Sequence, residues 1–238
     1  MLPVAIFRHS PTEGPGYFAT VLERHGIAWT LLPVDAGAQV PASIAEFSGL
    51  VFMGGPMSVN DDLPWIPPVL QLIRDAVDRG APVLGHCLGG QLMAKALGGA
   101  VARNPVKEVG WGRVDVADSE PARVWFGATR SILSYHWHGE TFNLPPGAAC
   151  VASSPYCANQ AFALGNSLGL QCHVEMTEDM VRAWAQSGQR EIEHANGPAV
   201  QSAEEMQRHL QARVAALRGV AERLYGRWIE ELKGSLRV

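Results

Sequence analysis

The sequence predicts an α/β fold in which a mostly parallel central sheet carries helices on both faces. Short apolar runs at residues 4–7, 28–34 and 49–53 alternate with stretches of helical periodicity at 17–25 and 67–79. Runs that are apolar throughout are typical of strands buried on both faces, as in parallel sheets. Because ligands bind beyond the carboxyl ends of the strands in such sheets, we expect a site at that edge.

The helix predicted at 67–79 has the clearest pattern in the first part of the chain. Its apolar residues recur at helical spacing and are Val69, Leu72, Ile73, Ala76 and Val77. Gly80 and Pro82 end this helix, and the next apolar run leads directly into the glycine-rich segment 85–90. A strand followed by a second helix is therefore expected around that segment.

The stretch from 112 to 175 has a different pattern, with short strands joined by short links. The predicted strands are 112–117, 134–138, 149–152, 160–164 and 168–173. Gly165 and Asn166 are typical of a hairpin turn between the last two strands. We expect an antiparallel extension of the sheet that returns the chain to the edge where segment 85–90 lies.

The remainder of the chain is predicted to be a helical tail. Residues 176–196 are expected to form one short helix, and Ser202 with Glu205 fits a capping box that opens a longer one. Because no heptad pattern is sustained, a helix packed on the domain is favoured over a dimer seam. We therefore divide the chain into a domain at 1–196 and a C-terminal helical extension at 197–238.

Composition argues against several classes of protein. The 238 residues carry a formal net charge of −4, with lysine and arginine scattered, so no nucleic-acid partner is expected. The four cysteines lack the spacing of a zinc site or a disulfide framework. Charge at Arg8 argues against a signal peptide, and no apolar run approaches the roughly 20 residues of a membrane span. We expect a cytoplasmic protein with no cofactor, no metal and no membrane association.

A candidate nucleophile, Cys87, lies in the middle of the glycine-rich segment. Gly85 and Gly89 flank it at the spacing of a nucleophile elbow, with cysteine in place of the usual serine. Such a turn presents its side chain at the carboxyl end of a strand, where the N-terminus of the following helix favours a thiolate. The alternative is a structural cysteine in a tight turn, because free cysteines are commonly buried.

A candidate base, His173, lies near the end of the antiparallel extension. On a strand, Gln171, His173 and Glu175 share one face, whereas Cys172 points to the other. His173 can then take the proton of a thiol while Glu175 holds the imidazole in the required tautomer. A lone histidine on a strand is more often structural, but the acid two residues on favours a catalytic pair.

Two further features are less specific. Gly54 and Gly55 follow a predicted strand and let the backbone approach a ligand, as an oxyanion donor must, although an ordinary glycine turn explains them equally well. His136 and His138 share one face of a strand and suggest a metal site. No third ligand converges on them in the sequence, so residues lining the rim of a site are favoured instead.

Four segments, taken in order, resemble the class I (triad) glutamine amidotransferases, in particular the stand-alone GMP synthase-like branch. They are 53–59 (MGGPMSV), 85–91 (GHCLGGQ), 137–140 (WHGE) and 169–175 (GLQCHVE). The resemblance covers roughly the first 175 residues and implies a flavodoxin-like fold. The chain departs from the family at Val174, where proline is usual, and at Gly90, where histidine is frequent.

The resemblance also implies roles for individual residues. Cys87 is implied as nucleophile, His173 as base and Glu175 as its orienting acid, with backbone N–H groups of Gly55 and Leu88 as the oxyanion hole. The residues expected to contact the substrate are Gln91, Gly54, Trp137 and His138. The expected reaction is hydrolysis of the γ-glutamyl amide of glutamine through a thioester, which releases glutamate and ammonia without a cofactor.

Alternatives stay open at this point. A γ-glutamyl peptidase or hydrolase would use the same residues on a peptide or conjugate, and it would not release ammonia without an acceptor. A non-catalytic binding member of the fold is disfavoured by the intact Cys87, His173 and Glu175. No phosphate-binding glycine loop follows the catalytic segments, so an ammonia-accepting synthetase is expected only as a separate subunit.

Overall fold

One mixed sheet forms the centre of the structure. The computed structural model describes residues 1–195 and 197–234. Nine strands make up the sheet in that part of the chain: β1 (Val4–Arg8), β2 (Trp29–Pro33), β3 (Gly49–Phe52), β4 (Val83–His86), β5 (Val101–Val116), β6 (Ser131–Phe142), β7 (Ala149–Ser153), β8 (Ala161–Leu164) and β9 (Ser167–Leu170).

The strand order places the strand that precedes Cys87 next to the strand that precedes His173. The order is β2-β1-β3-β4-β9-β8-β7-β5-β6. Strands from β2 to β9 pair in parallel, whereas β9-β8, β8-β7, β7-β5 and β5-β6 pair antiparallel. The predicted α/β fold with an antiparallel extension is thus confirmed, and the extension continues the same sheet. Because β4 and β9 are parallel neighbours, the segments that follow them meet at one edge.

Helices cover both faces of the sheet, as predicted. They are α1 (Tyr17–Arg24), α2 (Ile66–Asp78), α3 (Leu88–Ala96), α4 (Glu120–Phe126), α5 (Glu178–Ser187), α6 (Gln189–His194), α7 (Ala203–Gln207) and α8 (Leu210–Gly234). Side chains alternate along β1, so Val4 and Ile6 enter one apolar cluster and Ala5 and Phe7 the other. The first cluster holds the faces of α1, α4 and α8, and the second holds α2 and α3.

Several predicted boundaries were wrong. Strand β5 begins at residue 101 rather than 112, because a run with Pro105 and several polar residues does not show a strand pattern. Helix α4 was not predicted, and the strand predicted at 168–173 ends at Leu170, followed by a single bridge between Tyr135 and His173. The helix predicted at 176–196 is two helices, α5 and α6, which meet at Gly188.

The C-terminal helices pack on the rest of the chain. Ser202 and Glu205 form the predicted capping box, but it opens the short helix α7 rather than the long helix that was predicted. The long helix α8 begins separately at Leu210, after His209 adopts a φ of 56° that ends the helical path. In α8, the rings of Tyr225 and Trp228 lie edge-on to Phe18 of α1, with centroids 4.8 and 5.6 Å away. The division of the chain at residue 196, and the tail segment 235–238, lie outside the described residues, so that division stays a prediction. Among the helices that are described, none has the length and apolar character needed to cross a membrane.

Candidate active site

Cys87 occupies a sharp turn between β4 and α3. Its φ of 50° and ψ of −107° lie in a region that residues other than glycine rarely adopt. A Cβ on Gly85 would clash with the backbone of Gly89, and a Cβ on Gly89 would clash with the Phe52 carbonyl. The Cys87 amide donates to the Leu170 carbonyl at 2.8 Å, which ties the turn to β9. The geometry is that of an elbow with its thiol at a helix N-terminus.

The Cys87 thiol borders a cavity of about 550 Å³ at the carboxyl edge of the sheet. Its side chain is 5% exposed. Sγ lies 3.8 Å from the Trp137 carbonyl oxygen and 3.5 Å from Nε2 of Gln171, which donates to it. The thiol also interacts with the His173 side chain, whose pKa it helps to raise. The nucleophile candidate therefore faces this cavity and is surrounded by polar groups that contact it.

His173 and Glu175 form a buried pair beside the thiol. Nδ1 of His173 lies 2.6 Å from Oε1 of Glu175, and both residues are only 1% exposed. Because Nδ1 is bound to the carboxylate, Nε2 is the ring nitrogen left to face Cys87. The Trp184 ring stands edge-on to the imidazole at 4.9 Å. The fold thus brings together the three residues that the sequence indicated as a triad.

Charge interactions within the pair outweigh the cost of burial. Burial alone would lower the pKa of His173, but the carboxylate of Glu175 and the contact with Cys87 raise it well above its usual range. Burial alone would raise the pKa of Glu175, but the charges of His173 and His86 lower it to about 2. The favoured state near neutral pH is an imidazolium–carboxylate pair, which is the partner that a thiolate needs.

The glycine loop after β3 lies beside the elbow. A Cβ on Gly55 would come within 2.7 Å of Cδ2 of Leu88, so these two residues are immediate neighbours. Nδ1 of His9 donates to the Met53 carbonyl at 2.9 Å and holds the start of the loop. Burial lowers the pKa of His9 to about 4, so its ring is neutral. Gly55 borders the cavity, whereas Gly54 is buried beneath it.

Three of the residues predicted to contact a substrate line the cavity. Gln91, Trp137 and His138 all border it. Nε2 of Gln91 donates to the Glu140 carbonyl at 3.3 Å and to Oε1 of Gln171 at 3.1 Å. Nδ1 of His138 donates to the same Glu140 carbonyl at 3.0 Å. Nε1 of Trp137 donates to Oε2 of Glu191 at 2.9 Å, so hydrogen bonds within the protein fix all three of these side chains.

Glu13 is a cavity residue that the sequence did not indicate. It lies in the loop after β1, and its Oε2 occupies the space that a Cβ on Gly54 would need. Cε1 of His173 lies 3.1 Å from the same point, so the carboxyl and the imidazole meet over Gly54. Burial raises the pKa of Glu13 to about 7. Its position after the carboxyl end of a strand in the parallel part of the sheet could have indicated Glu13 as a site residue.

A second polar cluster lies on β5 and β6. His136 and His138 share one face of β6 as predicted, but the expectation that no third group joins them is wrong. The carboxyl of Glu108 on β5 approaches both, with Oε2 lying 3.1 Å from Nε2 of His138. All three residues are buried. Their convergence comes from the pairing of two strands, and the first of those strands was not predicted at residue 108.

Sequence comparisons identify the family. The family model of class-I glutamine amidotransferases matches residues 18–181. YfeJ, a glutamine amidotransferase-like protein of Salmonella typhimurium, is 32% identical over 198 residues, which cover 79% of this chain and 82% of YfeJ. The GMP synthase of Lactobacillus acidophilus is 36% identical over 156 residues, which cover 63% of this chain. That match spans only 28% of the synthase, so the chain corresponds to under a third of that enzyme.

Solved structures agree with this assignment. A glutamine amidotransferase of Methylobacillus flagellatus shares 45% identity and superposes with a TM-score of 0.95, over 97% of this chain and 95% of the other. A glutamine amidotransferase of Thermotoga maritima shares 26% identity with a TM-score of 0.86, over 96% and 98% of the two chains. The fold and site define an α/β protein with a cysteine elbow. The chain belongs to the class-I glutamine amidotransferase family.

Proposed function

We propose that the chain hydrolyses the γ-carboxamide of glutamine to glutamate and ammonia with Cys87, His173 and Glu175. The observation that carries the proposal is the buried 2.6 Å contact between His173 and Glu175 beside a cysteine at an elbow. This arrangement supplies a nucleophile, a proton carrier and a group that orients the carrier. Membership of the family supports glutamine as the amide donor.

The first half-reaction forms a thioester. The Cys87 thiolate attacks the γ-carbon, and the carbonyl oxygen becomes an oxyanion that accepts hydrogen bonds from the backbone N–H groups of Gly55 and Leu88. Each such donor typically contributes about 3 kcal/mol to stabilising the transition state. As the carbon–nitrogen bond breaks, the nitrogen takes a proton from the His173 imidazolium and leaves as ammonia.

The second half-reaction releases glutamate. His173, now neutral, takes a proton from a water molecule while the water oxygen attacks the thioester carbon. The carbon–sulfur bond breaks, the Cys87 thiolate forms again, and the imidazolium is restored beside Glu175. The pair returns to the charged state that its pKa shifts favour.

The charges around the cavity suit a zwitterionic amino acid. Among the described residues, four acidic side chains and one lysine border it: Glu13, Asp61, Glu140, Glu191 and Lys107. Carboxylates provide partners for an α-ammonium group, and Lys107, which forms an ion pair with Glu191, provides one for an α-carboxylate. In this proposal Gln91, Trp137 and His138 contact the substrate, and Gly54 keeps the loop close to His173.

Replacement of the nucleophile tests the proposal. Cys87→Ala should abolish ammonia release from glutamine, because no other thiol borders the cavity among the described residues. Cys150→Ala is the matched control, since this partly exposed thiol lies on β7 and should be dispensable. If the Cys87→Ala protein released ammonia as fast as the wild type, the proposed mechanism would be excluded.

A γ-glutamyl peptide or conjugate is the second candidate substrate. The cavity extends from Cys87 along Trp137 and Trp184 to Ser187 and Glu191, which leaves room for a leaving group larger than ammonia. Turnover of glutamine and of γ-glutamyl dipeptides should be compared on the same preparation. Faster cleavage of dipeptides would favour the peptidase. No turnover and no thioester adduct with either substrate would instead favour a binding role.

A separate synthetase subunit is the proposed destination of the ammonia. The matched region forms under a third of the Lactobacillus acidophilus GMP synthase. We infer by analogy that a separate chain supplies the acceptor function for this one. Stimulation of glutamine hydrolysis by a co-purifying protein would support the inference, whereas full activity of the isolated chain would count against an obligate partner.

A further inference from the structure

We propose a zinc site formed by Glu108, His136 and His138. Each residue offers one donor atom, and these atoms all lie within 4.8 Å of one another. All three side chains are buried. Two imidazoles with one carboxylate form a donor set typical of Zn²⁺ in proteins. The site is separate from the cysteine and its acid–base pair.

The backbone itself brings the three groups together. In the antiparallel pairing of β5 with β6, Glu108 lies directly opposite His138 and Gly110 lies opposite His136. Residues 136 and 138 project from the same face because side chains alternate along a strand. The pairing register of the two strands shifts between Arg103 and Glu108, so regular pairing resumes at Glu108. Two strands that are fixed by many hydrogen bonds therefore hold the donor set in place.

The contacts of the two His138 ring nitrogens indicate that a proton or a metal ion lies beside Nε2. Its Nδ1 lies 3.0 Å from the Glu140 carbonyl oxygen, which can only accept, so Nδ1 carries the hydrogen. Without a proton on Nε2, this nitrogen and Oε2 of Glu108, which lies 3.1 Å from it, are both acceptors. Two acceptors at this distance need a proton or a metal ion between them. Two ligands of a tetrahedral zinc ion, each about 2.0–2.1 Å from the metal, lie roughly 3.3 Å apart.

The environment of His136 indicates that a metal ion, rather than a proton, lies between Glu108 and His138. His136 is 1% exposed, and neither of its ring nitrogens has a well-aligned hydrogen-bond partner among the described residues, although the backbone of Gly112 lies beside the ring. A proton shared between Glu108 and His138 would leave this imidazole unpaired, which is costly for a buried polar group. A zinc ion that binds all three residues gives one of these nitrogens a partner. The ring lies against Gly112, where a Cβ would come within 2.8 Å of it.

Surrounding residues already orient the carboxylate. Oε1 of Glu108 accepts from Oγ of Ser154 at 2.8 Å, and Oε2 accepts from Nε2 of Gln160 at 2.7 Å. Metal-binding carboxylates and histidines are commonly held by such outer hydrogen bonds. His138 borders the cavity, which gives an ion a path of entry.

The proposed ion would stabilise the strand next to the nucleophile. Trp137 lies between the two histidines, and its carbonyl oxygen is 3.8 Å from Sγ of Cys87. An ion that binds the residues on both sides of Trp137 would fix the position of this carbonyl. Its role in this proposal is structural, and no step of amide hydrolysis passes through it.

Metal uptake by the wild-type chain tests the proposal directly. Chelator-stripped protein is mixed with Zn²⁺ or Co²⁺ and passed through gel filtration, and the bound metal is counted per chain. We expect one ion per chain, the visible absorption of four- or five-coordinate Co²⁺ without a thiolate charge-transfer band, and a higher unfolding midpoint with Zn²⁺. Folded wild-type protein that retains neither ion would overturn the proposal, whatever the variants do.

Matched variants locate the ion. His136→Ala and Glu108→Gln should weaken Zn²⁺ binding about 100-fold or more, because each removes one of three protein ligands. Cys87→Ser should bind Zn²⁺ as the wild type does, which separates this site from the nearby thiol and His173. His194→Ala, at an exposed histidine, should also bind normally. Unchanged uptake by His136→Ala, or lost uptake by Cys87→Ser, would show that the ion binds elsewhere.

Discussion

Nε2 of His86 lies 3.7 Å from Oε2 of Glu175, the carboxylate oxygen that His173 does not bind. His86 is the residue before Cys87, so the elbow and the acid of the proposed catalytic pair are in direct electrostatic contact. The same nitrogen lies 3.0 Å from the hydroxyl of Tyr225 in α8. A chain of four side chains, from His173 through Glu175 and His86 to Tyr225, therefore links the site to the C-terminal helix.

Tyr225→Phe should weaken this link while leaving the three residues of the proposed triad unchanged. Removal of the hydroxyl leaves His86 with one hydrogen bond fewer in a fully buried position, which typically costs about 1 kcal/mol of unfolding free energy. For a chain of this size, that loss lowers the unfolding midpoint by about 2–4 °C. Thermal unfolding and glutamine turnover should be measured together, and we expect turnover to fall only a few-fold.

Tyr17→Phe is the control for Tyr225→Phe. Its hydroxyl donates to Glu222 at 2.5 Å near the surface, so its loss removes a comparable hydrogen bond away from His86. Turnover should be unchanged in this variant. Equal effects of the two substitutions on turnover would show that the contact with His86 has no specific part in the site.

Glu175→Gln should lower kcat by about 10²–10⁴-fold while KM changes little, because the amide neither stabilises the imidazolium nor fixes its tautomer. The pKa of Glu175 is lowered to about 2 from its usual 4.5. The ionised carboxylate therefore stabilises the folded state above pH 4.5, and this contribution is lost as the pH falls towards 2. Urea unfolding of both proteins across that range should show their stability difference shrinking. A constant difference would contradict the pairing.

The arrangement of the proposed catalytic residues could be predicted because the relationships between them are local. Gly85 and Gly89 are required by the turn at Cys87, and His173 and Glu175 share a face because they are two residues apart. Helix α2 could be predicted equally well, because its apolar periodicity is uninterrupted over thirteen residues. Local steric rules and periodicity were sufficient in these places.

The remaining parts of the site depend on contacts between distant segments. Glu108 lies opposite His138 because β5 pairs with β6. This pairing could not be predicted, because Pro105 and the neighbouring polar residues interrupt the strand pattern of β5. Glu13 reaches His173 only because the loop after β1 lies over Gly54. Tyr225 contacts His86 across 139 residues of sequence. These three contacts cannot be predicted from the local sequence pattern, since each one forms only when the sheet and its covering helices are assembled.

Limited alkylation should distinguish the four cysteines. Iodoacetamide should modify Cys87 first, because its thiol borders the cavity beside His173. Cys172 should be the slowest, since burial raises its pKa to about 12. Burial also raises the pKa of Cys150 and of Cys157. We expect labelling of Cys87 at least about 10-fold ahead of the others and loss of turnover in proportion to it.

Peptide mapping after brief exposure gives the order of labelling. Glutamine should slow the modification of Cys87 alone, because it occupies the cavity, and this provides an internal control. Rapid labelling of Cys172 with Cys87 spared would contradict both the orientation of residues 171–175 and the assignment of the nucleophile.

Glu13→Gln should change both stability and activity as a function of pH. Burial raises the pKa of this carboxyl to about 7 from its usual 4.5. Between these values the unfolded chain loses its proton while the folded chain keeps it, so the unfolding free energy of the wild type falls as the pH rises from 4.5 to 7. The amide cannot ionise, so Glu13→Gln should lack this fall and become the more stable protein at pH 8. Denaturant unfolding at several pH values measures the difference.

The activity of Glu13→Gln gives a second, independent readout. In the wild type, the carboxyl above Gly54 becomes negative near pH 7 and would then stabilise the His173 imidazolium more strongly. Turnover should therefore show a titration near pH 7 that Glu13→Gln lacks, with the remaining pH dependence belonging to the thiol and imidazole. Glu140→Gln, at another acidic residue of the cavity, should keep the wild-type profile. If Glu13→Gln retained the titration near pH 7, that titration would belong to another group, and Glu13 would have no electrostatic part in catalysis.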